Sequence, residues 1–70
     1  MVVAIRNERI RKILARKNMS QNCFGMRIGV SSSYMSQLMS GIRNPSPELR
    51  KKIMNNLSEY SFDDLFEIKN

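Results

Sequence analysis

Gly29, Gly41, Pro45 and Pro47 divide a chain of 70 residues into short pieces, each patterned as a helix. No segment alternates apolar and polar residues as a half-buried strand would. There is no internal repeat, linker or low-complexity run. The expectation is one all-α domain over residues 1–70, built from five short helices with no sheet.

Val3, Ile10, Ile13 and Leu14 make a stripe at helical spacing, which predicts a first helix from about Val3 to Lys17. Ile5 falls off that stripe and is a candidate for a surface or dimer contact. Asn18 suits the helix end, because Asn tolerates a left-handed backbone. Ser20 caps a second helix running to about Ile28, with Phe24 and Ile28 facing inward. Ser31 caps a third, to about Met39, which turns Met35, Leu38 and Met39 to the core and stops at Gly41. Ser46-Pro47-Glu48 is a cap, a first-turn proline and an acid at the positive end of a dipole. It opens a fourth helix with Leu49, Ile53, Met54 and Leu57 inward. Ser61 and Asp64 make an approximate capping box for a fifth, followed by Leu65, Phe66 and Ile68.

Composition removes several function classes. There is no His and only Cys23, so neither the usual zinc combinations nor an internal disulfide is available. Cys23 reads as a small half-buried residue, and the methionines as core fillers. No acid–base pair, triad or phosphate loop is present, so catalysis and cofactors are not expected. No run approaches the ~20 apolar residues of a membrane span. MVVAIRNERI lacks the pattern of a signal peptide, which points to a cytoplasmic or nucleoid-associated protein. Charge is segregated. Residues 1–58 carry eleven Lys and Arg against two acids, whereas residues 59–70 carry one against four. A polyanion would meet the first four-fifths of the chain and not its tail.

Residues 21–40, QNCFGMRIGVSSSYMSQLMS, read as two short helices joined by a three-residue turn. Gly25 is small where the helices should cross. Gly29 supplies a left-handed turn residue, and Val30 plugs the corner. The outer face of the second helix bears Ser32, Ser33, Ser36 and Gln37, all short or polar and uncharged. Such a face can enter a DNA major groove, which admits one α-helix.

At this point the chain resembles the phage repressor and Cro family of helix-turn-helix regulators, also called the XRE family, over roughly residues 9–66. The family typically has Leu-Ser-Gln, an alanine four residues after the Gln, Gly-Val-Ser, an aliphatic, and then Gly-x-x-x-Pro. Here those places hold Met19-Ser20-Gln21, Gly25, Gly29-Val30-Ser31, Met35, Gly41 and Pro45. The closing Val-Ser-x-x-x-Leu is matched by Tyr60-Ser61 and Leu65. The resemblance implies a five-helix lambda-repressor-like domain that binds double-stranded DNA. Three places depart from the pattern. Leu14 and Met39 stand where many members pair an Arg with a Glu. Gly25 replaces the usual Ala, and Arg50 replaces a buried leucine. Losing both charged partners together avoids stranding one buried charge, so Leu14 and Met39 are expected to pack together.

The resemblance implies residue roles. Gln21 sits at the first turn of the second helix, against a phosphate. Ser32, Ser33, Ser36 and Gln37 face the bases. For Ser32 and Ser33, base and backbone contacts are both open. Gln37 is the sharpest reader, since its amide can donate and accept at adenine N7 and N6. Tyr34 has three readings: a phosphate, a thymine methyl or the helix edge. Arg43 and Asn44 clamp the backbone from the loop, and Arg6, Arg9 and Arg27 either add electrostatic reach or are solvated. Family members usually dimerise on two half-sites ~34 Å apart. The expected homodimer interface is the fifth helix and its loop: Tyr60, Phe62, Phe66 and Ile68. A chain this short has no room for an effector domain, which favours a Cro-like repressor. An antitoxin with a small toxin partner, a restriction–modification controller and a non-specific nucleic-acid binder are the competing readings.

Overall fold

The computed structural model describes residues 1–70 throughout, in the order β1 (Val2–Ile5), α1 (Asn7–Arg16), α2 (Gln21–Arg27), α3 (Ser32–Ser40), α4 (Pro47–Asn56), α5 (Phe62–Leu65) and β2 (Phe66–Lys69). The five expected helices are present, and four of them start at their expected serine caps. The hydroxyls of Ser20, Ser31, Ser46 and Ser61 accept from the backbone N–H groups of Cys23, Tyr34, Leu49 and Asp64. At Ser61 the box is complete, because the Asp64 carboxylate accepts from the Ser61 backbone N–H at 3.0 Å. Asn18 has φ 55° and Gly41 φ 84°, so both stop their helices in the left-handed region.

The all-α expectation is corrected at the termini. β1 and β2 pair antiparallel, with Val3 opposite Ile68 and Ile5 opposite Phe66. The first helix therefore starts at Asn7 and not at Val3. Val2, Val3 and Ile5 are β-branched, which suits a pleated surface better than a helix. The fifth helix makes one turn and opens into strand geometry at Phe66, φ −131° and ψ 160°. The ladder continues past Ile5, where the Arg6 N–H donates to the Leu65 carbonyl at 2.9 Å. Arg6 then locks the junction, its Nε donating to the carbonyls of Asp63 at 2.8 Å and Phe66 at 3.1 Å. Ile5, expected at the surface, instead packs half-buried against the core.

One apolar cluster draws on every helix: Ile10, Ile13 and Leu14 from α1, Phe24 and Ile28 from α2 and its end, Met35, Leu38 and Met39 from α3, Leu49, Ile53 and Leu57 from α4 and its end, and Leu65 and Phe66 from the tail. No buried side-chain polar atom lacks a partner. Leu14 and Met39, the two apolar replacements, are 4% and 2% exposed and share this core. The Asn7 side-chain amide donates to the Met39 carbonyl at 3.0 Å and ties the start of α1 to the end of α3. Two interior expectations change. Cys23 is exposed, and Phe66 is fully buried, so it has no surface left to offer a second copy. The sheet brings Phe66 inward, where its ring lies 5.1 Å from that of Phe62.

The acidic tail folds back on α1. Lys17 meets Glu59 at 2.7 Å, and Arg9 meets Asp64 at 3.4 Å. The Lys17 ammonium holds the Glu59 carboxyl below its ordinary range. The Ser61 backbone N–H and hydroxyl do the same for Asp64, with Arg9 and Arg6 adding to it. A depressed carboxyl stabilises the fold above its ordinary pKa and loses that contribution as acid protonates it.

Two measurements check this account. Leu14→Arg places a charge in the core without its family partner and should cost ~3–5 kcal/mol, read as a large fall in thermal midpoint. In the second, wild-type melting temperature should drop as pH falls from about 5 to about 3, and Asp64→Asn should flatten that drop. Identical slopes would show that the Asp64 charge does not support the helix cap.

Candidate nucleic-acid interface

The site is built on one close approach. A Cβ placed on Gly25 would lie 3.2 Å from the Met35 Cβ and 3.3 Å from its Cγ. Here α2 and α3 therefore touch with only a glycine between backbone and side chain. The turn that follows is closed by the Val30 N–H donating to the Gly25 carbonyl at 2.9 Å, with Gly29 at φ 78°. A side chain at Gly29 would be strained by that backbone alone. Contact at Gly25 and the left-handed Gly29 together set the angle between the two helices. Val30 is half-buried against the core, as expected of a corner plug.

Met35, Leu38 and Met39 pin one side of α3 to the core, leaving the other in solvent. At 100° per residue the outward sector centres on Ser33 and Gln37, with Ser40 and Ser36 beside them. Ser32 lies toward one flank and Tyr34 toward the other. Ser33, Ser36 and Ser40 are exposed, and Gln37 is half-buried. No charged residue stands on α3. Ser40 is the outward residue that the sequence reading missed. Its place at the helix end hid it, although helical spacing would have found it. Its hydroxyl donates to the Gln37 carbonyl at 3.2 Å.

Arg43 does not reach away from the loop as a free clamp. It folds back over α3, with its guanidinium carbon 4.6 Å above the Tyr34 ring. Its Nε donates to the Gln37 Oε1 at 2.9 Å, and its backbone N–H donates to the Gln37 carbonyl at 3.2 Å. Tyr34, half-buried, is thus occupied by a cation on its face. Asn44 is exposed and lines a groove of about 640 Å³ together with Arg6, Arg9 and Lys69, and with Glu8 and Glu67. Gln21, half-buried, is the first residue of α2, one position after the Ser20 cap. Arg27 is exposed at the end of that helix. Arg9 and Arg11 make surface ion pairs with Asp64 and Glu8, contacts that add little stability. Arg50, in place of a leucine, is half-buried, and its guanidinium donates to the Pro45 carbonyl at 3.2 Å.

No cluster of His, Cys, Asp or Glu fit to hold a metal is present. No helix is long and apolar enough to cross a membrane. Two short helices at a fixed angle, the second with an uncharged polar face outward, define a helix-turn-helix DNA-binding domain. A family model described as helix-turn-helix matches residues 10–65, and the chain belongs to this XRE-type family of DNA-binding transcription regulators. Such domains bind DNA and are not enzymes in kind. Neither a curated protein nor a solved structure gives a significant match.

The crossing contact gives a direct test. Gly25→Val puts a branched side chain where Met35 already stands and should destabilise the domain by ~1–3 kcal/mol through overpacking. Denaturant unfolding measures it. An unchanged midpoint would mean that the two helices separate at little cost.

Proposed function

We propose that the chain is a Cro-like transcriptional repressor that binds a palindromic operator as a homodimer. The observation that carries this reading is the outward face of α3: Ser33, Ser36, Gln37 and Ser40 stand free of charge and of large apolar groups on a helix held rigidly from behind. In the proposed complex α3 lies in the major groove, with Ser32, Ser33, Ser36 and Gln37 against base edges. Gln21 and Asn44 position the phosphate backbone. The serines, short and able both to donate and to accept, let the helix approach closely but discriminate weakly. Blocking a promoter needs no catalysis and no effector.

A second copy doubles the reading surface. Tyr60 and Phe62 are half-buried, and Ile68 is 55% exposed, so apolar surface remains on α5 and β2 beyond what the core uses. This surface is the proposed dimer contact, with Phe66 supporting it from beneath. The pairing of Glu59 and Asp64 with α1 favours the same arrangement, because it keeps the acidic tail against its own chain.

Selection of bound duplexes from a random pool at physiological salt tests the proposal. The expected consensus is a palindrome whose half-sites lie ~34 Å apart, one helical turn. Recovery of a single unrepeated half-site would remove the dimer. Absence of any enrichment, with affinity falling steeply with salt, would make the chain a non-specific binder.

A further inference from the structure

Gln37 and Arg43 form one unit with a defined polarity. A guanidinium has five N–H donors and no acceptor, so the side of the carboxamide that faces Arg43 must be its oxygen. The observed bond, Arg43 Nε to Gln37 Oε1 at 2.9 Å, therefore fixes which way the amide points. Its NH2 group faces away from Arg43 and makes no bond within the chain. Stacking 4.6 Å over the Tyr34 ring restricts the guanidinium in turn. Its Nη groups are likewise without a partner. The free atoms that Gln37 and Arg43 share are thus hydrogen-bond donors, and the unit carries one positive charge. An N–H donor approaching the Gln37 oxygen meets the positive charge of Arg43, whose Nε is 2.9 Å away, and is disfavoured by it.

Base pairs differ at this point. In the major groove guanine shows two acceptors, N7 and O6. Adenine shows N7 with an N6 donor, cytosine an N4 donor, and thymine one acceptor beside a methyl group. A donor-only unit complements guanine and is mismatched to the adenine edge that a free glutamine would take. Resting on the proposed reading of α3 as the groove helix, we propose that Gln37 and Arg43 together select a guanine in each half-site, with Arg43 a specificity-determining residue and Tyr34 holding it in place. The notion of Gln37 as an independent adenine reader and Arg43 as a phosphate clamp is thereby replaced.

The experiment is selection from a random duplex pool at physiological salt with four proteins: wild type, Gln37→Ala, Arg43→Ala and Gln37→Glu. Thermal melting confirms that each is folded. Wild type should enrich a guanine that both alanine variants lose at the same position, with a drop in preference of about tenfold or more and other positions retained. Gln37→Glu keeps the contact with Arg43 but removes the amide donors, so it too should lose the guanine while melting no lower than wild type. An adenine at the Gln37-dependent position, or an Arg43→Ala variant that weakens every sequence alike, overturns the inference and leaves the DNA-reading proposal standing. A guanine retained by Gln37→Glu overturns the shared reading. No enriched sequence for wild type overturns sequence-specific binding itself, and the inference with it.

Discussion

The direction of α3 is set by the absence of a side chain at Gly25. Met35 approaches to within a distance that a Cβ would contest, so α2 and α3 lock at one separation and one angle. Everything outward of that contact follows from it. Met35, Leu38 and Met39 commit one side of α3 to the interior, and the remaining side is the serine-rich face with Gln37. A glycine inside a helix costs roughly 1 kcal/mol relative to alanine. The fold tolerates that cost here because the contact excludes anything larger without a shift of Met35.

The support beneath α3 is apolar where the family resemblance leads to an expected ion pair. Leu14 and Met39 are both buried, and the polar tie between the same two helices passes instead through the Asn7 amide and the Met39 carbonyl. A hydrogen bond from a neutral amide avoids the desolvation of two charges. Met39 also suits the place for its flexibility, since an unbranched thioether fills an irregular gap. Electrostatics are handled elsewhere, at the surface. Glu59 and Asp64 of the tail lie against Lys17 and Arg9, and α3 itself carries no charged residue.

Arg43 shows how a loop residue acquires a role from its neighbours. On the sequence it lies beyond Gly41, outside any helical wheel, and reads as a clamp on the DNA backbone. In the fold Gly41 reverses the chain, and the N–H groups of Ile42 and Arg43 both return to the Gln37 carbonyl. That turn delivers the guanidinium to Tyr34 and to the Gln37 amide. The uncharged face of α3 consequently has a cation along one border, supplied from outside the helix.

Helix positions, caps, turn glycines and the core stripe were legible along the chain, because each depends on residues within a few places of one another. Ser20, Ser31, Ser46 and Ser61 act on N–H groups three residues ahead, and Gly29 and Gly41 act on their own φ. The family match spans residues 10–65, the stretch that holds these signals. The strand at Val2–Ile5 was not legible, since its partner Phe66–Lys69 lies some sixty residues away and four residues are too few to show a period. The burial of Phe66, the inward place of Ile5 and the contacts of Glu59 and Asp64 with Lys17 and Arg9 share that cause, whereas the bond between Arg43 and Gln37 spans only six residues and depends on the turn at Gly41 that folds the loop back over α3. Sequence alone determined that five helices form, where the serine caps start four of them, and which face of α3 is outward. Only the tertiary structure decided what the two termini become, and which polar groups on that face are already taken, because both depend on contacts between residues that local pattern leaves unconnected.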